Sequence, residues 1–205
     1  MSAIRIAILI HTDDPIPLQM MRDSYRSIFD RVAPGSHIEF FNLLLSPELP
    51  SLSNDEQYDL IILGGGTYIP DPKTAWMQQL LAVTNIKLTS SGKDFFQRSL
   101  ETGAFSLRLH EFHQRAVAAP PPGFCELAEG CQILLSENEN ILTFQGHPEM
   151  SRELMKLLLL SPKSRDSGYI GENTDMDETL LRRAEAEHDG LRIFQAVVKW
   201  AKSLE

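Results

Sequence analysis

Residues 58–66 read YDLIILGGG, an apolar run that ends in three consecutive glycines. A short apolar run bounded by turn residues is typical of a buried strand in a parallel sheet. Ligands of open α/β sheets lie beyond the carboxyl ends of the strands, where glycines let backbone N–H groups approach a ligand oxygen closely. The stretch therefore predicts a strand that ends either in a ligand-binding loop or in a tight turn to a helix.

The sequence before this strand alternates strand and helix patterns. IRIAILI (4–10) predicts a first strand, and apolar side chains recur at helical spacing over residues 15–32, behind Asp14 as a candidate N-cap. HIEFFNLLL (37–45) predicts a second strand, and a further helix is expected from about 73 to 83. This alternation favours an α/β fold built on a mostly parallel sheet.

The second half of the chain has a different pattern. IKLTSSGKDFF, FSLRLHEFH and QILLSENENILTFQ predict short strands joined by turns from Ile86 onward, so we expect an antiparallel section there. Helices are predicted at 151–160 and 191–205, with a polar surface loop at 161–178 between them. A chain of 205 residues is cramped for two cores, and a single domain over residues 1–205 is expected.

Composition and charge exclude several classes of function. The chain has a net charge of −9, so it has no excess of positive side chains to neutralise phosphates, and this disfavours nucleic acid as a partner. The first strand lacks the features of a signal peptide, and no apolar run is long enough to cross a membrane. Cys125 and Cys131 form neither a disulfide framework nor the pattern of a zinc site. We therefore expect a cytoplasmic protein with no metal, no cofactor, and a small molecule or a protein as its partner.

A second strand end carries ionisable residues. ILTFQGHPEM (141–150) is an apolar run that stops at a glycine and then presents His147 and Glu149. A carboxylate two residues from a histidine can orient its imidazole and stabilise the protonated form, which is how a general base is built. Taken alone, the pair is equally compatible with an ordinary loop histidine whose hydrogen bonds are satisfied.

Several of these segments together resemble a known family. YDLIILGGG, LRLHEFHQRAV, PPGFCELAEG and above all TFQGHPEM are similar to the class I glutamine amidotransferases, in particular stand-alone members and the related γ-glutamyl peptidases, from residue 4 to about 200. The resemblance implies a flavodoxin-like three-layer α/β sandwich and a substrate such as glutamine or a γ-glutamyl compound. It also implies that His147 is the catalytic histidine and that Glu149 orients it. Gly65 and Gly66 match the oxyanion loop, and His113 matches a histidine beside the site.

The segment that carries the family's nucleophile is not found in this sequence. Family members place a cysteine on a sharp turn between strand and helix, in a pattern resembling G-x-C-x-G-H, ahead of the antiparallel section. Here WMQQLLAVTN passes directly into IKLTSSGKDFF, and no cysteine precedes Cys125. We therefore expect one central β-α unit to be excised. Cys125 lacks the glycine directly behind it that a strained nucleophile turn needs, Ser90 and Ser91 are predicted to lie in a turn, and His110 is assigned to structure.

Three functions stay open at this point. The first is a catalytically degenerate member of the family that acts as a binding or regulatory protein, because a thioester cannot form without a thiolate. The second is an active glutaminase or γ-glutamyl hydrolase, if the missing block is an artefact of gene prediction or splicing. The third is unrelated chemistry with His147 as a base. Loss of a central unit should expose apolar surface near WMQQLLAV (76–83), so self-association through that region or a partner protein is also expected.

Overall fold

The structure is a computed structural model of the 205-residue chain. It describes residues 3–12, 14–42, 44–45, 49–50, 58–66, 82–100, 106–111, 117–160 and 181–204. All structural statements below concern these residues.

A parallel sheet of three strands forms the first half of the fold. Strands β1 (Arg5–His11), β2 (His37–Asn42) and β3 (Leu60–Gly66) lie in the order β2-β1-β3, with β1 in the centre. The side chains of β1 from Ile6 to Ile10 are apolar and buried on both faces, as expected of the inner strand of a parallel sheet. The three strands predicted in this half of the chain are confirmed, but β2 is shorter than predicted, because it ends at Asn42, and Leu44 and Leu45 lie in a turn.

Helix α1 (Pro15–Val32) connects β1 to β2 and agrees with the predicted range. The side chain of Asp14 accepts a hydrogen bond from the backbone N–H of Ile16 and caps the helix. A proline in the first turn is compatible with the helix because the N–H it lacks would have no partner inside the helix. Tyr25 and Phe29 lie on the buried face, where both rings make edge-on contacts with Phe194.

The second half contains two antiparallel sheets. Strands β4 (Ala82–Lys87) and β5 (Ser106–Glu111) form one, and β6 (Phe124–Ala128), β7 (Ile133–Ser136) and β8 (Leu142–Phe144) form the other, in sequence order. A short 3-10 helix (Glu129–Cys131) joins β6 to β7. Single bridges, Leu88 to Ala128 and His110 to His147, connect the two sheets. The predicted antiparallel section is confirmed.

Three more helices have defined bounds, and residues 181–184 are helical as well. The three helices are α2 (Ser90–Leu100), α3 (Arg152–Leu160) and α4 (Gly190–Lys202). The main core includes apolar side chains of α1, α2 and α4 and of all three sheets, among them Ile8, Phe29, Phe96, Leu107, Ile133 and Phe194. A smaller cluster lies under α3 and contains Met150, Leu154, Met155, Leu159 and Ala184.

Two local predictions are wrong. The helix expected from about 73 to 83 cannot reach its predicted end, because Ala82 already pairs with Glu111 as the first residue of β4; residues 73–81 lie outside the described ranges. Ser90 and Ser91 are not in a turn but begin α2. Thr89 explains this difference, because its hydroxyl accepts a hydrogen bond from the N–H of Gly92 and caps the helix.

No helix in the described part of the chain is both long enough and apolar enough to span a bilayer. The loop predicted at 161–178 lies outside the described residues.

Candidate functional site

The segment after β8 turns towards β5 and brings His147 beside His110. The backbone N–H of His147 donates to the carbonyl of His110 over 2.7 Å, in an isolated antiparallel bridge. The carbonyl of His147 in turn accepts from the N–H of Met150. The loop that carries His147 is therefore fixed by backbone hydrogen bonds on both sides of the histidine.

His147 and Glu149 form a direct side-chain pair. The Nδ1 atom of His147 lies 2.9 Å from Oε1 of Glu149, and the His147 side chain is 20% exposed while Glu149 is buried. An ionised carboxylate only accepts hydrogen bonds, so Nδ1 carries the proton in the neutral ring and Nε2 is the basic nitrogen. This arrangement can take a proton from a group that approaches Nε2.

Helix α1 contacts the loop at Glu149. The hydroxyl of Ser24 donates to the backbone carbonyl of Glu149, which ties the loop to the middle of the helix. Burial raises the pKa of the neighbouring Tyr25 well above its usual value, and the nearby carboxylate of Glu149 raises it further. Tyr25 is therefore a neutral phenol at physiological pH. Neither residue was identified as part of a site from the sequence, because Tyr25 belongs to the apolar face of the predicted helix and Ser24 is a single polar residue within it.

Gly146 is required for the close approach of the loop to β5. A Cβ atom added there would lie 2.8 Å from Oε1 of Glu111 and 3.2 Å from the carbonyl oxygen of His110. Glu111 is itself fully buried. The Gly-His-Pro-Glu sequence thus has a structural reason for its glycine as well as a chemical reason for its histidine.

A second histidine pair lies behind the bridge. His110 is fully buried, and its ring centroid is 4.5 Å from that of His188. Burial lowers the pKa of His110 to about 3, and positive charge on His188, His147 and Arg152 acts in the same direction. Burial also lowers the pKa of His188. His110 is therefore neutral at physiological pH, which agrees with the structural role predicted for it.

The segment before α4 holds His188 in this position. Asp189 pairs with Arg108 of β5 through two hydrogen bonds, one from its own N–H to the Arg108 carbonyl and one to its carboxylate from the Arg108 N–H. The N–H of Gly190 donates to Nδ1 of His188. His188 gave no signal in the sequence, because it reaches the site only through this long-range pairing.

The depressed pKa of His110 predicts a dependence of stability on pH. The unfolded chain takes up a proton at this residue below about pH 6.5, whereas the folded chain stays neutral until about pH 3, so stability falls as the pH drops through that window. At pH 5 the loss is about 2 kcal/mol. Replacement of His110 by phenylalanine should remove this part of the loss, measured by urea denaturation at pH 7 and pH 5.

A matched control for this prediction is Leu109→Met on the same strand, a buried position that carries no titratable side chain. That variant should show the same difference between pH 7 and pH 5 as the unchanged chain. An equal pH dependence in His110→Phe and in the unchanged chain would contradict the prediction.

The other predicted site residues have different outcomes. Gly65 and Gly66 are the last residues of β3, and Gly66 pairs with His11 of β1. Their predicted contribution to an oxyanion loop stays a prediction, and His113 lies outside the described residues.

Cys125 is exposed on β6, not in the predicted turn. In the described ranges, no group of three or more His, Cys, Asp or Glu side chains could hold a metal ion.

Cys131 is an inert thiol in this environment. It is buried at the end of the 3-10 helix, and burial together with the Glu126 carboxylate raises its pKa. Its backbone N–H donates to the same carboxylate. A raised pKa lowers the fraction of thiolate, which is the nucleophilic form.

The parallel sheet, with α1 as the crossover helix between β1 and β2, defines an α/β protein, and comparison with solved structures agrees. The crystal structure of SMU.1228c superposes with a TM-score of 0.62 over 96% of this chain and 99% of that one, at 15% identity. That likeness shows the fold. The predicted α/β class is therefore confirmed.

Comparison with known sequences supports the predicted resemblance, although no family model matches the chain. The glutamine amidotransferase-like protein chyE of Penicillium rubens is 28% identical, over 97% of each chain. The glutamine amidotransferase-like protein chry6 of Gibberella zeae is 32% identical, over 60% of this chain and 46% of its own length. The resemblance to glutamine amidotransferase-like proteins is confirmed.

The alignment with chyE is longer than this chain. It spans 244 residues, whereas the chain has 205. A few tens of aligned positions in that relative therefore have no counterpart here.

Proposed function

We propose that this chain is a catalytically degenerate glutamine amidotransferase-like protein that keeps the His–Glu pair and acts by binding a small molecule or a partner protein. The observation that carries the proposal is the state of its two thiols. Cys125 is exposed on β6 and Cys131 is buried with a raised pKa. Neither lies on the turn between strand and helix that a nucleophile of this family requires.

The retained pair supports a site that still recognises a small molecule. His147 is partly exposed and its orientation is fixed by Glu149, by the bridge to His110 and by the contact of the loop with Ser24. Such a histidine can hydrogen-bond a ligand even when no thiolate is present to react with it. A γ-carboxamide or a γ-glutamyl group is the chemistry that the resemblance suggests for the ligand.

The alternative is an active glutaminase or γ-glutamyl hydrolase that works through a γ-glutamyl thioester. The length of the alignment with chyE is the observation that favours this alternative. The alternative requires that the positions missing from this chain contain a nucleophile and that an error of gene prediction or splicing removed them. In that case His147 would deprotonate the thiol, and Glu149 would stabilise the imidazolium that forms. Sequencing of the transcript across the codons for residues 81–87 distinguishes a genuine deletion from an artefact.

Activity assays test the proposal directly. The 205-residue chain should release no ammonia from glutamine and no glutamate from γ-glutamyl peptides above background, because no thiol is placed to attack the carbonyl carbon. Glutamine or a γ-glutamyl peptide should raise the melting temperature of the unchanged chain more than that of His147→Ala, since a ligand that binds only the folded state stabilises it.

Four variants serve as controls for the assay. Turnover that disappears in His147→Ala would overturn the degenerate function. Turnover that disappears in Cys125→Ser or in Cys131→Ser would identify the thiol that acts as nucleophile. A chain with the corresponding block of chyE inserted is the positive control, and its turnover should depend on His147.

A further inference from the structure

The outer strand of the parallel sheet exposes apolar side chains. β3 lies at the edge of the order β2-β1-β3 in the described part of the chain, and its alternate residues Ile61 and Leu63 are 42% and 73% exposed. Their partners across the pair, Ala7 and Leu9, are buried. Leu63 is the most exposed large apolar side chain among the described residues. Ile61 and Leu63 of β3 are thus exposed, whereas the residues of β1 beside them are covered.

Charge favours this strand as a meeting point for two copies of the chain. Each copy has a net charge of −9, so two copies repel each other over most of their surfaces. Residues 60–66 contain no ionisable side chain. The carboxylate of Asp59, just before the strand, accepts a hydrogen bond from the N–H of Arg5 and is held against its own sheet. Edge strands that avoid association usually present a charge, most often lysine, and β3 presents none.

The order of side chains along β3 makes the strand complementary to itself. In an antiparallel pair that is two-fold symmetric about Ile62, Ile61 lies opposite Leu63 of the second copy, and Leu60 lies opposite Gly64. Residues directly opposite each other in such a pair share a face of the sheet. The two exposed side chains of each copy would therefore contact those of the other, and the glycine leaves room for the larger leucine.

We propose that this chain forms a two-fold symmetric dimer in which β3 pairs antiparallel with β3 of a second copy. The two parallel sheets then become one continuous sheet of six strands, with α1 of both copies on the same side. Exposed apolar strand edges are templates for pairing of this kind. The self-association expected from the sequence is assigned to residues 76–83, of which 76–81 lie outside the described residues; β3 is a different surface.

Sedimentation velocity over a wide range of protein concentration tests the dimer. The unchanged chain should dimerise, and Leu63→Lys should raise the dissociation constant about tenfold or more, because it places a charge on an otherwise uncharged edge, opposite the apolar Ile61 of the second copy. Ile141→Lys, at a half-exposed apolar residue next to β8, is the matched control and should leave the constant unchanged. A monomer at all concentrations overturns the proposal, and so does a dimer that Leu63→Lys does not weaken.

Cross-linking tests the register of the pair. In a Cys125→Ser background, Ile62→Cys places two thiols opposite each other on the symmetry axis, whereas Ile61→Cys places each thiol opposite a leucine. Mild oxidation should therefore link two copies of the Ile62→Cys chain and leave Ile61→Cys largely unlinked. Equal linking of both variants, or linking of Ile61→Cys alone, overturns this register and with it the symmetric dimer.

Discussion

Replacement of Gly92 by alanine should destabilise the chain by about 3 kcal/mol, because the new methyl group has no space. A Cβ atom at this position would lie 1.8 Å from the carbonyl oxygen of Leu127 and 2.7 Å from its carbonyl carbon. Both are backbone atoms of β6, so no side-chain rotation can relieve the clash. Helix α2 would have to move away from β6, and urea denaturation measures the resulting loss of stability.

The gain in helix propensity acts in the opposite direction but is smaller. Alanine is favoured over glycine in helices by about 1 kcal/mol, and this gain is reduced in the first turn. Ser91→Ala is the matched control, because Ser91 is exposed in the same turn and should change stability by less than about 0.5 kcal/mol. A Gly92→Ala chain as stable as the unchanged one would mean that α2 does not approach β6 as closely as described.

The contact between α2 and β6 could not be predicted from the sequence. The letters TSSGK resemble a turn, because serine and glycine favour turns. The structure instead begins α2 at Ser90, with Thr89 as its cap and with a hydrogen bond from the Thr89 N–H to Leu127. The glycine is needed because β6 lies against the helix, and that packing involves residues far away in the sequence.

Helix α1 illustrates the opposite case. Its start, its length and its buried face all follow from local signals, namely a capping aspartate, an early proline and apolar residues at helical spacing. The strands of the parallel sheet were predictable for the same reason, since each is an apolar run bounded by turn residues. Where propensity, pattern and tertiary packing agree, the sequence alone is sufficient.

The candidate site contains one contact that the sequence predicts and several that depend on distant residues. The contact of His147 with Glu149 could be anticipated because the two residues are only two positions apart. The contributions of Ser24, Glu111 and His188 could not, because they come from α1, β5 and the segment before α4. The pair alone cannot distinguish a catalytic site from a binding site. That distinction depends on a nucleophile, and the two cysteines of the chain are both on or next to β6.

Replacement of Gly190 by alanine should have a comparably large effect, and it should reach the candidate site. A Cβ atom there would lie 2.1 Å from the carbonyl oxygen of Pro148 and 2.6 Å from Cε1 of His188. Pro148 separates His147 from Glu149, so α4 can relieve the clash only by moving away from the loop or by displacing it. We expect a loss of about 3 kcal/mol in the free energy of unfolding, measured by urea denaturation.

The imidazole signals of His147, His110 and His188 should also shift in NMR spectra, because all three rings depend on this contact. Gln195→Ala, on the exposed side of the same helix, should leave both stability and spectra nearly unchanged. Loss of stability without any change at His147 would separate the packing of α4 from the geometry of the site, and would contradict the coupling between them.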